Sequence, residues 1–491
     1  MSTCVKSEGI QSTFIWNVPG KNLDPNHIVF TVKKLVNEFY SEIVIEEVQS
    51  VGRPLMYSNE ELLGLIVYGQ MMNKTSVREL EQCIKNRDES FLYITNNKKP
   101  SKSTIARFYA ENSHLIDDLF YYIVKTGEKL DLIGYKHVAI DGTILKAFAS
   151  RFKLITIEEI LYLEKLIGNF YKNIYGENIW FKIQKYFFGD IYNKSNKYII
   201  DEIKNNLKSE GLKFLKEAIF NTQHKEKVLD VLAYLKENYD GTHTISVTDP
   251  ESRWMKNKQE NIELSYNYQV AVDDKHDFIV AQRLVQDPTD HYQLIPMIEE
   301  TLTNLKQKVE YFTADTGYLT DEALYYLYYN DINAIIPDKN DSSKLKNKKE
   351  VSEFKKTNFQ YNPINDTFTC PQKETLEFQS TRRSKNKIYN VYSTKKCKKC
   401  KVLKNCTKQP KREILEAANP LKRKMKENYN SDFGKQLYQK RFHTGETYFG
   451  HRKITFKNPQ LKIKTLKKAE KELTIQSIAH NIKIIHKHQP K

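Results

Sequence analysis

Residues 135–150, YKHVAIDGTILKAFAS, alternate apolar and polar side chains up to Asp141 and then meet Gly142 and Thr143, the pattern of a strand that ends in a turn. Strand signals return at HTISVTD (243–249), YNYQVAVD (266–273) and DFIVAQRLV (277–285). An amphipathic helix at HYQLIPMIEETLTNL (291–305) follows, then a strand VEYFTAD (309–315), a helix TDEALYYLYYN (320–330) and a strand INAIIP (332–337). Strands that pair first and then alternate with helices predict a mixed α/β sheet over residues 134–337. Residues 156–240 interrupt it with helical periodicity, opened by a capping box at Thr156 and Glu159, and read as a helical insertion.

Upstream, residues 1–133 read as all-helical. SNEELLGLIVYGQMM (58–72) opens with the capping box Ser58 and Glu61, and a second box, Ser76 and Glu79, starts a shorter helix. A third helix begins after Pro100 and runs through TIARFYAENSHLIDDLF. Three helices joined by tight basic turns have the form of a helix-turn-helix unit, with Lys102 and Arg107 near the start of the third, where such units meet DNA. A plain helical bundle with surface lysines fits the same pattern. Downstream, residues 338–430 form a lysine-rich, turn-rich insert, and residues 431–491 return to helix, ending in a basic amphipathic stretch around Leu466, Ala469, Leu473 and Ile482.

The chain has 491 residues, 78 lysines and arginines against 61 aspartates and glutamates, and a net charge of +17. That balance favours a polyanionic partner, nucleic acid first, although a compositional bias that also yields 31 tyrosines produces the same excess of lysine. A hydrophobic share of 40% excludes global disorder. No apolar run approaches the ~18 residues that span a bilayer, and MSTCVKSEGIQS has no leader pattern, so a cytoplasmic protein without a membrane partner is expected.

Asp141 and Asp315 each close an apolar strand. If those strands are parallel neighbours, the two carboxylates emerge at one sheet edge and repel each other unless a cation lies between them, and hard oxygen ligands suit Mg²⁺ or Mn²⁺. Taken singly, each reads first as an ordinary turn former. In YQKRFHTGETYFGHRK (438–453), Glu446 precedes Lys453 by seven residues, which places both on one face if the helix is continuous through Gly445 and Gly450. Asp249, Asp287 and Asp290 stay outside the catalytic set: Asp-Pro and Asp-x-x-Asp segments are usually exposed turns. Cys370, Cys397, Cys400 and Cys406, spaced C-x26-C-x2-C-x5-C, suit a tetrahedral structural Zn²⁺ site in an insert with little apolar core. Unligated surface thiols are the alternative.

Taken in order, these segments resemble the DDE transposases of bacterial insertion sequences. The stretch from Val51 to Ile84 with KPSKSTIARF is similar to the family's N-terminal DNA-binding domain, VAIDGTILKAFAS to its first-aspartate segment, and FTADTGYLTDEAL to its second. Tyr438, Arg441, Glu446 and Lys453 resemble its tyrosine, arginine, glutamate and lysine signature, with four residues rather than the usual three between Arg441 and Glu446. The resemblance implies an RNase H-like catalytic domain in which Asp141, Asp315 and Glu446 hold two Mg²⁺ or Mn²⁺ ions for strand cleavage and strand transfer. It implies that Tyr438, Arg441 and Lys453 contact DNA, and that the partners are terminal inverted repeats and target DNA, bound by a homodimer in a prokaryotic nucleoid. Two other readings remain: a related metal-dependent nuclease, and a transposase-derived DNA-binding protein that no longer cuts.

Overall fold

The computed structural model describes residues 20–42, 56–161, 228–242, 244–338, 353–362, 365–384, 387–456 and 460–489. Most of the helical insertion expected over 156–240 lies outside them; its capping box does not. Thr156 N donates to Glu159 at 2.9 Å, and Glu159 N donates to the Thr156 hydroxyl at 3.2 Å.

The N-terminal segment is helical, as its caps predict: α1 Ile28–Glu42, α2 Asn59–Met71, α3 Val77–Lys85, α4 Glu89–Ile94, α5 Lys102–Glu111 and α6 His114–Lys129. Reciprocal capping boxes start α2 at Ser58 and α3 at Ser76, and the Ser101 side chain caps α5. The helix expected as one piece after Pro100 is two, because the chain breaks at Asn112 and Ser113 before α6 resumes.

Strands β1 (His137–Lys146), β2 (Leu154–Thr156), helix α7 (Val228–Glu237), β3 (Thr244–Ser246), β4 (Arg253–Lys256), β5 (Ile262–Asp273) and β6 (Phe278–Val285) follow, then α8 (Leu294–Asn304), β7 (Tyr311–Thr313), α9 (Asp321–Tyr329) and β8 (Ala334–Ile335). Six of these strands form one sheet in which β5 lies between β1 on one side and β4 and β6 on the other, and β1 continues to β7 and β8. The first strands pair antiparallel and β1–β7–β8 pair parallel, the mixed sheet expected from the alternation of elements.

Residues expected to be mainly turns form a second, five-stranded antiparallel sheet: β9 (Gln360–Asn362), β10 (Thr367–Thr369), β11 (Thr375–Ser384), β12 (Lys387–Ser393) and, after the short helix α10 (Leu403–Cys406), β13 (Glu413–Ala417). Its apolar core is small, comprising Phe359, Phe368, Leu376, Tyr392 and Ile414. Helices α11 (Pro420–Asn430), α12 (Asp432–Phe456) and α13 (Leu466–His488) complete the described chain.

Helix α13, expected as a basic amphipathic helix, is instead buried over much of its circumference, Ser477, Ile478 and Asn481 included. It packs on α2 and α6 and on β6, so one apolar core runs from the N-terminal helices into the sheet. Asn481 accepts from Ile279 N at 3.0 Å and donates to Ile279 O at 2.8 Å, and Glu470 accepts from Leu284 N at 3.1 Å. From α8, Asn304 donates to Val280 O at 2.9 Å and Glu300 accepts from Gln282 N at 3.4 Å. These side chains take up backbone groups on β6 that a sheet edge would otherwise leave open.

Candidate active site

Strand β1 does not stop at Asp141. It continues antiparallel to β5 as far as Lys146, while its parallel partner β7 pairs only from His137 to Ala139. Asp141 is therefore mid-strand toward β5 but lies beyond the end of β7, where Asp315 follows two residues after Thr313. The parallel neighbours anticipated from the sequence are present, and both carboxylates stand at the same end. His137 helps fix this register by hydrogen bonding the Thr313 hydroxyl at 2.8 Å. Asp273 caps the entry to β1, accepting from Gly134 N at 2.9 Å and Tyr135 N at 3.0 Å.

Helix α12 packs across β1, β5, β7 and β8 and places Arg441 against Asp141. Arg441 Nη2 donates to Asp141 Oδ1 at 2.8 Å, and both side chains are largely buried. Burial pushes the Asp141 carboxyl above the ordinary carboxylate range; Arg441 and Lys258 pull the other way, and the charge of Asp315 adds to the upward push. Asp315 accepts from Thr316 N at 2.6 Å at the head of a single 3-10 turn. Tyr438, one helical turn before Arg441, is buried against Tyr429, with the guanidinium 5.7 Å from its ring centre.

Helix α12 runs unbroken through Gly445 and Gly450, so the continuity needed to place Glu446 and Lys453 on one face is present. The five-residue step from Arg441 to Glu446 turns those two positions about 140° apart on an ideal helix, against about 40° for a four-residue step. The side chains of Glu446 and Lys453 lie outside the described residues. Lys102 and Arg107 are both exposed on α5.

Sequence reasoning left out Asp290, which lies between the two acid-bearing segments. Its Oδ1 accepts from Asn267 Nδ2 at 2.9 Å and from Gln269 Nε2 at 2.7 Å. Gln269 in turn accepts from the hydroxyl of Tyr318, at the end of the Asp315 turn. Burial and the charges of Asp290 and Asp141 hold the Tyr318 hydroxyl well above its usual pKa, so it remains a donor. Gly142 packs on this network: a Cβ there would lie 2.5 Å from Gln269 Nε2, 2.8 Å from Asp290 Oδ1 and 3.0 Å from the Tyr318 hydroxyl. The sequence signal was the pair of amides Asn267 and Gln269, two apart on one face of β5 and both buried. Asp249 also departs from expectation. Instead of an exposed turn charge it is fully buried, accepting from the Tyr266 hydroxyl at 2.9 Å and from Thr465 N at 3.2 Å.

Cys370, Cys397, Cys400 and Cys406 are free thiols, each half-buried, gathered at one end of the five-stranded sheet: before β11, after β12 and before β13. Cys370 and Cys406 pack against its core. Among the described residues no group of three or more His, Cys, Asp or Glu side chains stands ready to hold a metal ion. None of the described helices is long and apolar enough to cross a membrane.

The sheet thus brings Asp141 and Asp315 to the exits of adjacent parallel strands, flanked by the arginine-bearing helix α12. Residues 18–111 match the family described as Transposase domain (DUF772), and residues 369–486 match the family described as Transposase DDE domain. Together the two matches support a DDE transposase of the insertion-sequence type, and with it a DNA-binding enzyme in the general sense. The second match includes Tyr438, Arg441, Glu446 and Lys453; Asp141 and Asp315 fall between the two. Among curated proteins and solved structures, none matches the chain.

Proposed function

We propose that the chain cleaves DNA at the ends of its insertion sequence and joins the freed ends to target DNA, with Asp141, Asp315 and Glu446 as the catalytic acids of an RNase H-like domain. The observation that carries this reading is the parallel pairing of β1 with β7, which brings Asp141 and Asp315 to neighbouring strand exits. The order β6-β5-β1-β7-β8, antiparallel and then parallel, supports the domain type. Two neighbouring carboxylates that repel each other beyond the end of β7 would suit a hard divalent cation once Arg441 releases Asp141, and Glu446 on helix α12, about 140° round from Arg441 on an ideal helix, is the third proposed donor. Bound there, Mg²⁺ or Mn²⁺ supplies Lewis-acid activation of the attacking oxygen and charge relief at the leaving one.

The chain's own groups do the rest. The Asp290, Gln269 and Tyr318 network holds the Asp315 turn to β5, with Gly142 of β1 packed on it. Arg441 pairs with Asp141 and would exchange that carboxylate for a phosphate, with Lys453 on the same helix as a further DNA contact; Tyr438, expected to contact DNA as well, is buried against Tyr429 and would instead support the Arg441 guanidinium. Lys102 and Arg107 on α5 would meet the terminal inverted repeats, with a homodimer bridging two ends. The four thiols would bind a structural Zn²⁺ that ties together the end of the second sheet. Residues 1–133, 134–337, 338–430 and 431–491 then serve as end-binding, catalytic, inserted and closing segments.

The test is metal-dependent cleavage of labelled duplex carrying the element's own ends, comparing the native chain with Asp315→Ala. Cuts at the end junction that vanish in the variant support the assignment; cuts that persist defeat it. Specific binding without cutting supports the second reading, a silent DNA-binding descendant, which the occupation of Asp141 by Arg441 favours.

A further inference from the structure

Residues 353–417 hold 16 lysines and arginines against six acids, a net +10 of the chain's +17. Most of that charge is concentrated at one end of the five-stranded sheet. From Lys395 to Arg412 there are nine basic residues and no acidic one. The register decides where they sit: Ser393, the last residue of β12, pairs with Glu377 near the start of β11 and with Glu413 at the start of β13. The segment from Thr394 to Arg412 therefore leaves and re-enters the sheet at one end, the same end as Cys370. Within it the cysteines are half-buried, while Lys395, Lys398, Lys399, Lys401, Lys404 and Lys408 are all exposed. Glu374 pairs with Lys396 at 2.8 Å and Glu413 with Lys411 at 3.4 Å, and the excess of exposed lysine that is left at this end favours a polyanionic partner.

We infer that this lysine-covered end of the five-stranded sheet is a second DNA-binding surface, gripping the phosphate backbone without reading sequence. The inference rests on the transposase reading and deepens it by placing a contact outside the N-terminal helices. Lysine suits the task as a mobile point charge, and contacts to phosphate position the duplex without specifying bases. The unit is fastened to the first sheet's domain at the end opposite the lysines: Asn419, just after β13, donates to Asp321 at 2.9 Å, and Asp321 opens α9, six residues after Asp315. Arg423 on α11 anchors it from below, pairing with Asp366 at 3.4 Å and stacking 4.5 Å from the Tyr361 ring centre.

The experiment is fluorescence anisotropy of a labelled duplex of arbitrary sequence, titrated with the full chain between about 50 and about 200 mM salt. Three proteins are compared: the native chain, a variant with Lys395, Lys398, Lys399 and Lys401 changed to Ala, and one with the same four changed to Arg. Each phosphate contact adds about 0.9 to the slope of log affinity against log salt, so the alanine variant should lose about 3 to 4 from it. The arginine variant should keep the native slope, and all three should melt together, since the four side chains are exposed. An alanine variant with the native slope overturns the inference while leaving the transposase reading intact. A native chain that binds no duplex even at the lowest salt overturns both.

Discussion

Arg441 and Asp141 lie 300 positions apart in sequence and 2.8 Å apart in space, so the helix that closes the sheet is hydrogen bonded to the central strand at its most acidic point. Both side chains are mostly withdrawn from water, and removing one partner would leave the other charge buried and unpaired. Arg441→Met should cost about 3–5 kcal/mol of folding stability. Adding Asp141→Asn in the same chain should recover much of it, with a coupling of about 1–3 kcal/mol. Urea unfolding of the two single variants and the double variant measures this directly; strictly additive losses would show that the pair contributes no mutual stabilisation.

Gly142 and Gly317 offer a matched comparison. A Cβ on Gly142 would collide with Gln269, Asp290 and Tyr318, whereas one on Gly317 meets nothing nearer than Asp290 Oδ2 at 3.5 Å. Gly142→Ala should cost about 1–3 kcal/mol by overpacking and lower the rate of end cleavage at least about tenfold, because the residue displaced is next to Asp141. Gly317→Ala should stay within about 0.5 kcal/mol of the native chain. Melting curves and single-turnover cleavage would reveal the contrast, and equal behaviour of the two variants would count against the network.

Glu300 provides a pH signature remote from the aspartates. Burial pushes its carboxyl up to about 7, with Glu470 and Asp117 adding to the rise and Gln282 N and Arg283 opposing it. The folded state thus binds a proton that the unfolded chain, near 4.5, has already lost. Its contribution to stability is full below about 4.5 and is lost as pH rises through about 7. Glu300→Gln should flatten that part of the stability profile and raise stability at pH 8 by on the order of 1–3 kcal/mol. Thermal melts of both proteins from pH 5 to 8 (about one unit apart) suffice, and parallel profiles would refute the assignment.

The cysteine end of the second sheet should carry zinc. Metal analysis of protein prepared without chelator is expected to give about one Zn²⁺ per chain, falling to near zero in Cys397→Ser. Chelation should then loosen β10 to β13, seen as faster amide exchange there and not in β1 or β5. Zinc-free native protein with unchanged exchange would leave the thiols as ordinary side chains.

How far the sequence disclosed this arrangement varies by element. Capping boxes at Ser58 and Ser76 and the apolar alternation of β1, β5 and β6 are local signals, and the elements form where those signals lie. The five-stranded sheet was hidden because β11, TLEFQSTRRS, is exposed along nearly its whole length and shows no period-two pattern. Helix α13 misled for the opposite reason. Its polar residues look like a solvent face, yet Lys471 pairs with Asp117, and Asn481 and Glu470 bond to β6, partners that only tertiary structure supplies. The same holds for the acids. Asp141 and Asp315 end apolar runs and could be read directly, whereas Asp290 sits in a turn-like QDPTDH and is drawn to them by two amides on another strand.

Helix α13 also bears on what happens to damaged copies of the gene. Residues 466–488 fill the space between α2, α6 and β6, so they belong to the interior of both the N-terminal helices and the sheet. A premature stop codon anywhere before Leu466 would remove that shared interior and uncover a wide apolar groove. The shortened product should then be cleared by proteolysis instead of surviving as a DNA-binding competitor of the intact protein. Late truncations would silence such copies without producing a self-inhibitor.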